Sequence, residues 1–228
     1  MTIRAERPFE AQGSAVLFGG TFDPPHLGHV AAIRELRRVT GLPVVVVPTG
    51  APTYRPSPHA SAIARAEMAE LAVHTLADPL VTVCRWEVDR VEPTFTVDTV
   101  EWLRAQDPDL ALVLALGSDV ASTLPGWKSV RRLLAQVRLL IFERARQHRL
   151  ASETGQAVVA RLRRSDLPLP GAEVISLSTP AIDATRIRER IAAGASTEGM
   201  LPSEVADYIH THRLYLHSDE PGSGTVIG

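Results

Sequence analysis

The sequence predicts an α/β fold: a doubly wound, mainly parallel sheet with helices on both faces and a helical segment closing the chain. Short Val-, Leu- and Ile-rich runs alternate with longer stretches of helical period along residues 14–216. The first of these runs hands over to a helix through a glycine pair, the turn at which open α/β sheets bind ligands. No internal repeat and no Pro/Gly/Ser linker divides the chain, so residues 14–216 are expected to form a single domain. Residues 1–13 are expected to be a flexible N-terminus, and the Gly-, Ser- and acid-rich stretch 217–228 a disordered tail.

Ser14–Phe18 reads as the first buried strand, followed by Gly19 and Gly20. From Gly28 to Thr40 the spacing is helical, with Val30, Ile33 and Leu36 on one face and Val39 a further candidate. Gly41-Leu42-Pro43 ends that helix, and Val44–Val47 is a second buried strand. Thr49 to Pro58 carries three Pro and one Gly and reads as a long loop, of the kind that often carries function. Ala60–Leu76 is helical, Leu80–Arg85 a strand, and Thr96–Ala105 a helix with Thr94 or Thr96 near its start. Leu110–Leu116 is a central strand ending at Gly117, and Val137–Phe142 another. Leu150–Arg164 reads as helix, Glu173–Leu177 as a last strand, and Asp183–Ala193 and Ser203–His210 as the closing helices.

Composition excludes several functions. Of 24 basic residues, 23 are Arg and only Lys128 is Lys, an imbalance that fits the codon usage of a GC-rich genome. No G-x-x-x-x-G-K-[ST] string surrounds Lys128, so Walker-type nucleotide hydrolysis is excluded. A formal charge of −2 provides no overall basic field for nucleic acid or an anionic membrane. The runs Arg131-Arg132 and Arg161-Leu162-Arg163-Arg164 read as solvated helix faces. The single Cys84 permits no internal disulfide, which fits a reducing cytoplasm. No signal-peptide core and no membrane-length apolar run stand in the sequence. Glu87, Asp89 and Glu92 alternate on or just beyond a strand and read as a solvated edge in preference to a metal site, so no protein-held metal is expected.

The strongest signal is Phe18-Gly19-Gly20-Thr21-Phe22-Asp23-Pro24-Pro25-His26-Leu27-Gly28-His29. Two glycines let backbone N–H groups approach an anion without an intervening Cβ. His26 and His29 are three residues apart at a helix N-terminus, so their rings can share a face where the helix dipole is positive. Two imidazoles, a glycine turn and a helix end together form a receptor for polyphosphate. Asp23 before Pro24 reads more simply, as an Asx-type turn.

This string resembles the H-x-G-H signature of the nucleotidyltransferase superfamily, and in its longer form that of bacterial nicotinate-mononucleotide adenylyltransferases. Further blocks are similar to that family and fall in order over roughly 14–216. They are the Pro-rich loop through Arg55, the helix with Arg65 and Met68, the stretch Glu87–Arg90 leading to Pro93–Thr99, Gly117-Ser118-Asp119 with Trp127, Thr185-Arg186-Ile187-Arg188, and the segment from Leu201 to Tyr215. The resemblance implies a Rossmann-like fold and adenylyl transfer from ATP to nicotinate mononucleotide, with Mg²⁺ carried mainly on the ATP phosphates. It implies that His26 and His29 are catalytic and that Gly19, Gly20, Thr21, Phe22, Thr185 and Arg188 bind the ATP phosphates, with Arg144 near the adenosine. It implies that Arg55, Thr94, Thr96, Gly117, Asp119 and Trp127 bind the acceptor nucleotide. The partners expected are therefore small molecules, with neither nucleic acid nor membrane among them; a homo-oligomer is left open.

Three positions depart from the family pattern. Tyr54-Arg55 replaces a His-Lys pair, Asp183-Ala184 replaces two serines before Thr185, and Phe95 stands where Tyr is common. Asp183 brings a carboxylate toward the proposed triphosphate site, unless Arg186 or Arg188 neutralises it or it caps the helix facing away. Two other readings stay open for these reasons. One is the same chemistry on nicotinamide mononucleotide or phosphopantetheine; the other is a non-catalytic nucleotide-binding homologue.

Overall fold

The computed structural model describes residues 13–51, 57–144 and 154–216. The expected flexible N-terminus (apart from Gly13), the expected tail, Tyr54, Arg55 and the Leu150 start of the predicted helix lie outside the described residues.

Six strands form one sheet in the order β3-β2-β1-β4-β5-β6, and every neighbouring pair is parallel. They are β1 Ser14–Gly20, β2 Val44–Pro48, β3 Val81–Val83, β4 Ala111–Gly117, β5 Val137–Arg144 and β6 Ala172–Leu177. This is the Rossmann-like order, with the direction of winding reversing between β1 and β4. Buried on both faces, β1 and β2 read as continuous apolar runs and not as alternating ones.

The period of two along each strand divides the sheet's side chains between two cores. Ala15, Leu17, Val45, Leu112 and Leu114 pack under α3 (Thr96–Gln106), α5 (Val130–Leu134) and α6 (Gly155–Arg164). Val16, Phe18, Val44 and Val46 pack on the opposite face under α1 (Leu27–Thr40) and α2 (Ala62–His74). A third core joins α1 and α2 to α7 (Ala184–Ala192) and α8 (Ser203–Thr211) through Val30, Met68, Ile187, Val205 and Ile209. The closing helices thus lie over the face from which the first turn emerges.

Local chemistry sets the helix ends. Gly41 adopts φ 67°, and its N–H bonds back to Arg37 O at 3.0 Å, terminating α1. On that helix Val30, Ile33 and Leu36 are buried, whereas Val39 is exposed. Ser61 Oγ caps α2 by accepting from Ala64 N–H at 3.2 Å. Neither Thr94 nor Thr96 caps α3; Phe95 holds that position, and Asp98 accepts its N–H at 3.0 Å. Between β4 and β5 lie α4 (Ser118–Ala121), a 3₁₀ turn at Leu124–Gly126, and α5, none of which the element-by-element reading assigns. No helix among the described residues is long and apolar enough to cross a membrane.

Candidate active site

β1 ends at Gly20, and the chain turns into α1 through residues 21–26. His26 is the residue flanking the helix start, and its backbone N–H donates to Nδ1 of His29 at 3.2 Å. The two rings stack with centroids 3.8 Å apart and 26° between planes, and His29 meets the Phe22 ring edge-on at 5.0 Å. Because Nδ1 of His29 accepts a hydrogen bond, neutral His29 carries its proton on Nε2. The tautomer therefore makes Nε2–H the ring's donor, in the turn where the sequence suggests a phosphate receptor. Gly28 has a steric reason: a Cβ there would lie 2.9 Å from Cε1 and Nδ1 of His26 and 3.3 Å from the Pro180 carbonyl.

Distant residues hold the turn. The carboxylate of Asp23, which is 6% exposed, accepts from His59 N–H at 2.8 Å, Ala60 N–H at 3.1 Å and the Tyr215 hydroxyl at 2.8 Å. An Asx turn therefore understates its role: Asp23 ties the first turn to the start of α2 and to the residues after α8. Burial and the Asp23 carboxylate together push the Tyr215 phenol above its ordinary value. Arg65 is 1% exposed and donates to the carbonyls of Thr21 at 2.7 Å, Gly50 at 2.7 Å and Ala60 at 3.3 Å. Burial lowers its guanidinium from the ordinary value, and Asp23 opposes that shift. Arg188 Nη1 donates to the Asp23 carbonyl at 2.7 Å while Nη2 reaches Thr185 Oγ1 at 3.2 Å. The fold so brings the late Thr185-Arg188 pair to the first turn. Asp183 caps α7, accepting from Thr185 N–H at 2.7 Å and Arg186 N–H at 3.3 Å.

Beside the turn, beyond the C-terminal ends of β1, β2 and β4, opens a cavity of about 490 Å³. Gly19, Gly20 and Thr21 belong to its lining, as do Trp127 and Lys128, with Thr94–Val97 at the start of α3. Trp127 is half-buried, and its Nε1–H donates to Thr123 Oγ1 at 2.9 Å. Lys128 Nζ lies 3.9 Å from the Phe95 ring centroid and 3.8 Å from Asp98 Oδ2. The strand-end position matches the rule for ligand sites in open parallel sheets.

Glu87 corrects the solvated-edge expectation. Asp89 and Glu92 are exposed, but Glu87 is 7% exposed, lines the cavity, and accepts from Thr99 Oγ1 at 2.6 Å. Burial pushes its carboxyl up from the ordinary range, against the hydrogen bonds from Thr99 and the Gly50 backbone.

Two further predicted residues, Gly117 and Asp119, are not among the residues that line this cavity. Gly117 precedes α4 at the end of β4, and Asp119 is exposed in that helix. A Cβ on Gly117 would lie 2.5 Å from Asp119 Oδ1, so the glycine leaves room for that carboxylate. Arg144 closes β5. Sequence reasoning assigned no site role to Arg65 or Glu87. The signal for Arg65 was present: it stands three residues before Met68, a lone cation on the buried stripe of α2.

The cytidylyltransferase-like family model matches residues 17–190. Among curated relatives, a protein of Shigella boydii serotype 4 named as a nicotinate-nucleotide adenylyltransferase is 35% identical over 208 residues, covering 87% of this chain and 97% of its own. An Escherichia coli O139:H28 protein of the same name is 36% identical over 209 residues with the same coverage. Among solved structures, a nicotinic acid mononucleotide adenylyltransferase of Plasmodium falciparum complexed with NaAD shares the fold at TM-score 0.70 and 15% identity, covering 89% of this chain and 97% of that one. On the strength of these matches and of the strand-end cleft behind its histidine turn, the chain belongs to the nicotinate-nucleotide adenylyltransferase family and is a nucleotidyltransferase.

Proposed function

We propose that this protein transfers the adenylyl group of ATP to nicotinate mononucleotide, releasing pyrophosphate and forming nicotinate adenine dinucleotide, with residues 14–216 acting as one nucleotidyltransferase domain. The observation that carries this reading is the juxtaposition of the stacked His26–His29 pair with a cavity whose wall includes the same glycine turn.

An oxygen of the acceptor's 5′-phosphate attacks the α-phosphorus of ATP, and the bond to the β-phosphate bridging oxygen breaks. No side-chain nucleophile is required; positioning and charge stabilisation supply the rate. His29, with its Nε2–H, and His26 bear on the α-phosphoryl oxygens as charge develops there. The turn from Gly19 to Phe22 offers backbone N–H groups to the same phosphate. Thr185 and Arg188 receive the leaving pyrophosphate, supported by their contact with each other and with the first turn. Thr94, Thr96 and Trp127 receive the pyridine end of the acceptor; Gly117 and Asp119 serve ribose hydroxyls, and Arg55 and Arg144 add cations at the acceptor and adenosine ends. Among the described residues no group of three His, Cys, Asp or Glu side chains could hold a metal ion. Mg²⁺ would arrive with ATP and would neutralise phosphate charge.

A coupled pyrophosphate-release assay with ATP and a panel of nicotinate mononucleotide, nicotinamide mononucleotide and phosphopantetheine tests this. Turnover is expected with nicotinate mononucleotide and is expected to be lost in folded His29→Ala. ATP binding without turnover on any acceptor would overturn the proposal in favour of a non-catalytic homologue.

A further inference from the structure

Among the described residues, the lining of the cavity contains two ionisable side chains, Glu87 and Lys128. Glu87 is buried against Thr99, whereas the side chain of Lys128 is 45% exposed. The Lys128 ammonium is incompletely satisfied. Its nearest carboxylate oxygen, Asp98 Oδ2, lies at 3.8 Å, beyond hydrogen-bond reach, and already accepts the Phe95 N–H at 3.0 Å. The ammonium makes no hydrogen bond to a described residue but sits over the Phe95 ring, which holds a cation in place without consuming its donors. Thr96 and Val97, the first two residues of α3, line the same cavity, so the positive end of an 11-residue helix faces it too.

Polarity fixes which part of an acceptor meets this charge. In the proposed function the phosphate meets the glycine turn beside His26 and His29 and Trp127 receives the pyridine ring, which brings the ring substituent to the neighbouring Lys128 of the same lining. We infer that the Lys128 side chain is a specificity-determining group that selects an anionic substituent on the acceptor's pyridine ring, a carboxylate over a carboxamide. This rests on the proposed function and goes beyond it, because it assigns the choice of acceptor to one side-chain charge. It also gives a use to Phe95, whose ring face holds the ammonium.

The test is the ratio of kcat/KM for nicotinate mononucleotide to that for nicotinamide mononucleotide, two acceptors with the same phosphate and ribose. Lys128→Met is expected to lower this ratio about tenfold to a hundredfold, the scale of one charge-assisted hydrogen bond. Lys128→Arg is expected to keep most of the ratio and Lys128→Glu to depress it further. Dissociation constants for both nucleotides in the absence of ATP should move in the same pattern. Equal losses for the two acceptors would assign Lys128 to the phosphate and overturn the inference, as would an unchanged ratio. Absence of wild-type turnover with either acceptor would instead refute the proposed function, and the binding ratio would still judge Lys128.

Discussion

Gly28→Ala separates the positioning of His26 from every other property of the site. The added methyl would stand 2.9 Å from two atoms of the His26 ring, where ordinary contact begins near 3.4 Å, so the ring must retreat by about 0.5 Å or more. It has little room to do so. His26 is 4% exposed, the His29 ring stacks on it at 3.8 Å, and the Pro180 carbonyl sits 3.3 Å from the new methyl. Misplacing a catalytic group by about 1 Å costs on the order of a hundredfold in rate. A shift of half that or more therefore predicts a fall in kcat of about tenfold to a hundredfold. Alanine's helix propensity works in the opposite direction on stability, by up to about 1 kcal/mol. Pyrophosphate release under saturating ATP and acceptor, with a thermal melt of the same preparation, reads both. A kcat within threefold of wild type together with a raised Tm would refute the steric reasoning, because the ring would then have yielded at no cost.

Other perturbations probe the clamps around the turn. Arg65→Met strands the carbonyls of Thr21 and Gly50 and should cost about 3 kcal/mol in urea unfolding. Tyr215→Phe removes one donor from Asp23 and should cost about 1 kcal/mol, a loss that a double-mutant cycle with Asp23→Asn should show to be coupled. For Glu87 the carboxyl is raised by burial, so the folded state favours its proton. Its contribution to stability is full below the unfolded value and is lost as pH rises through the folded one. Glu87→Gln should therefore gain in Tm relative to wild type as pH is raised from 4 to 8, and a difference constant with pH would contradict this.

The sheet and its long helices were legible because apolar period survives in them: α1 buries Val30, Ile33 and Leu36 as spaced. The short helices α4 and α5 escaped because four or five residues span little more than one turn, too short for an apolar period to repeat. Glu87 was misread for a related reason. β3 ends at Val83, so the alternation that places side chains in or out of a sheet does not extend to residue 87. The histidine turn was legible as chemistry, since its residues are adjacent in sequence. Its supports were not, because Asp23 meets Arg188 and Tyr215 across 165 and 192 positions, and no local spacing encodes such a contact.

That same separation sets an order of assembly. β1 is the first strand made but lies between β2 and β4, so the strand bearing the histidine turn waits for 97 further residues before its second neighbour is complete, β4 ending at Gly117 where β1 ends at Gly20. The clasp on Asp23 closes only with residue 215. A chain cut short before Tyr215 would retain every strand of the sheet yet lack one anchor of its histidine turn. The first turn is thus completed by a residue made after every strand of the sheet, when its architecture is already in place.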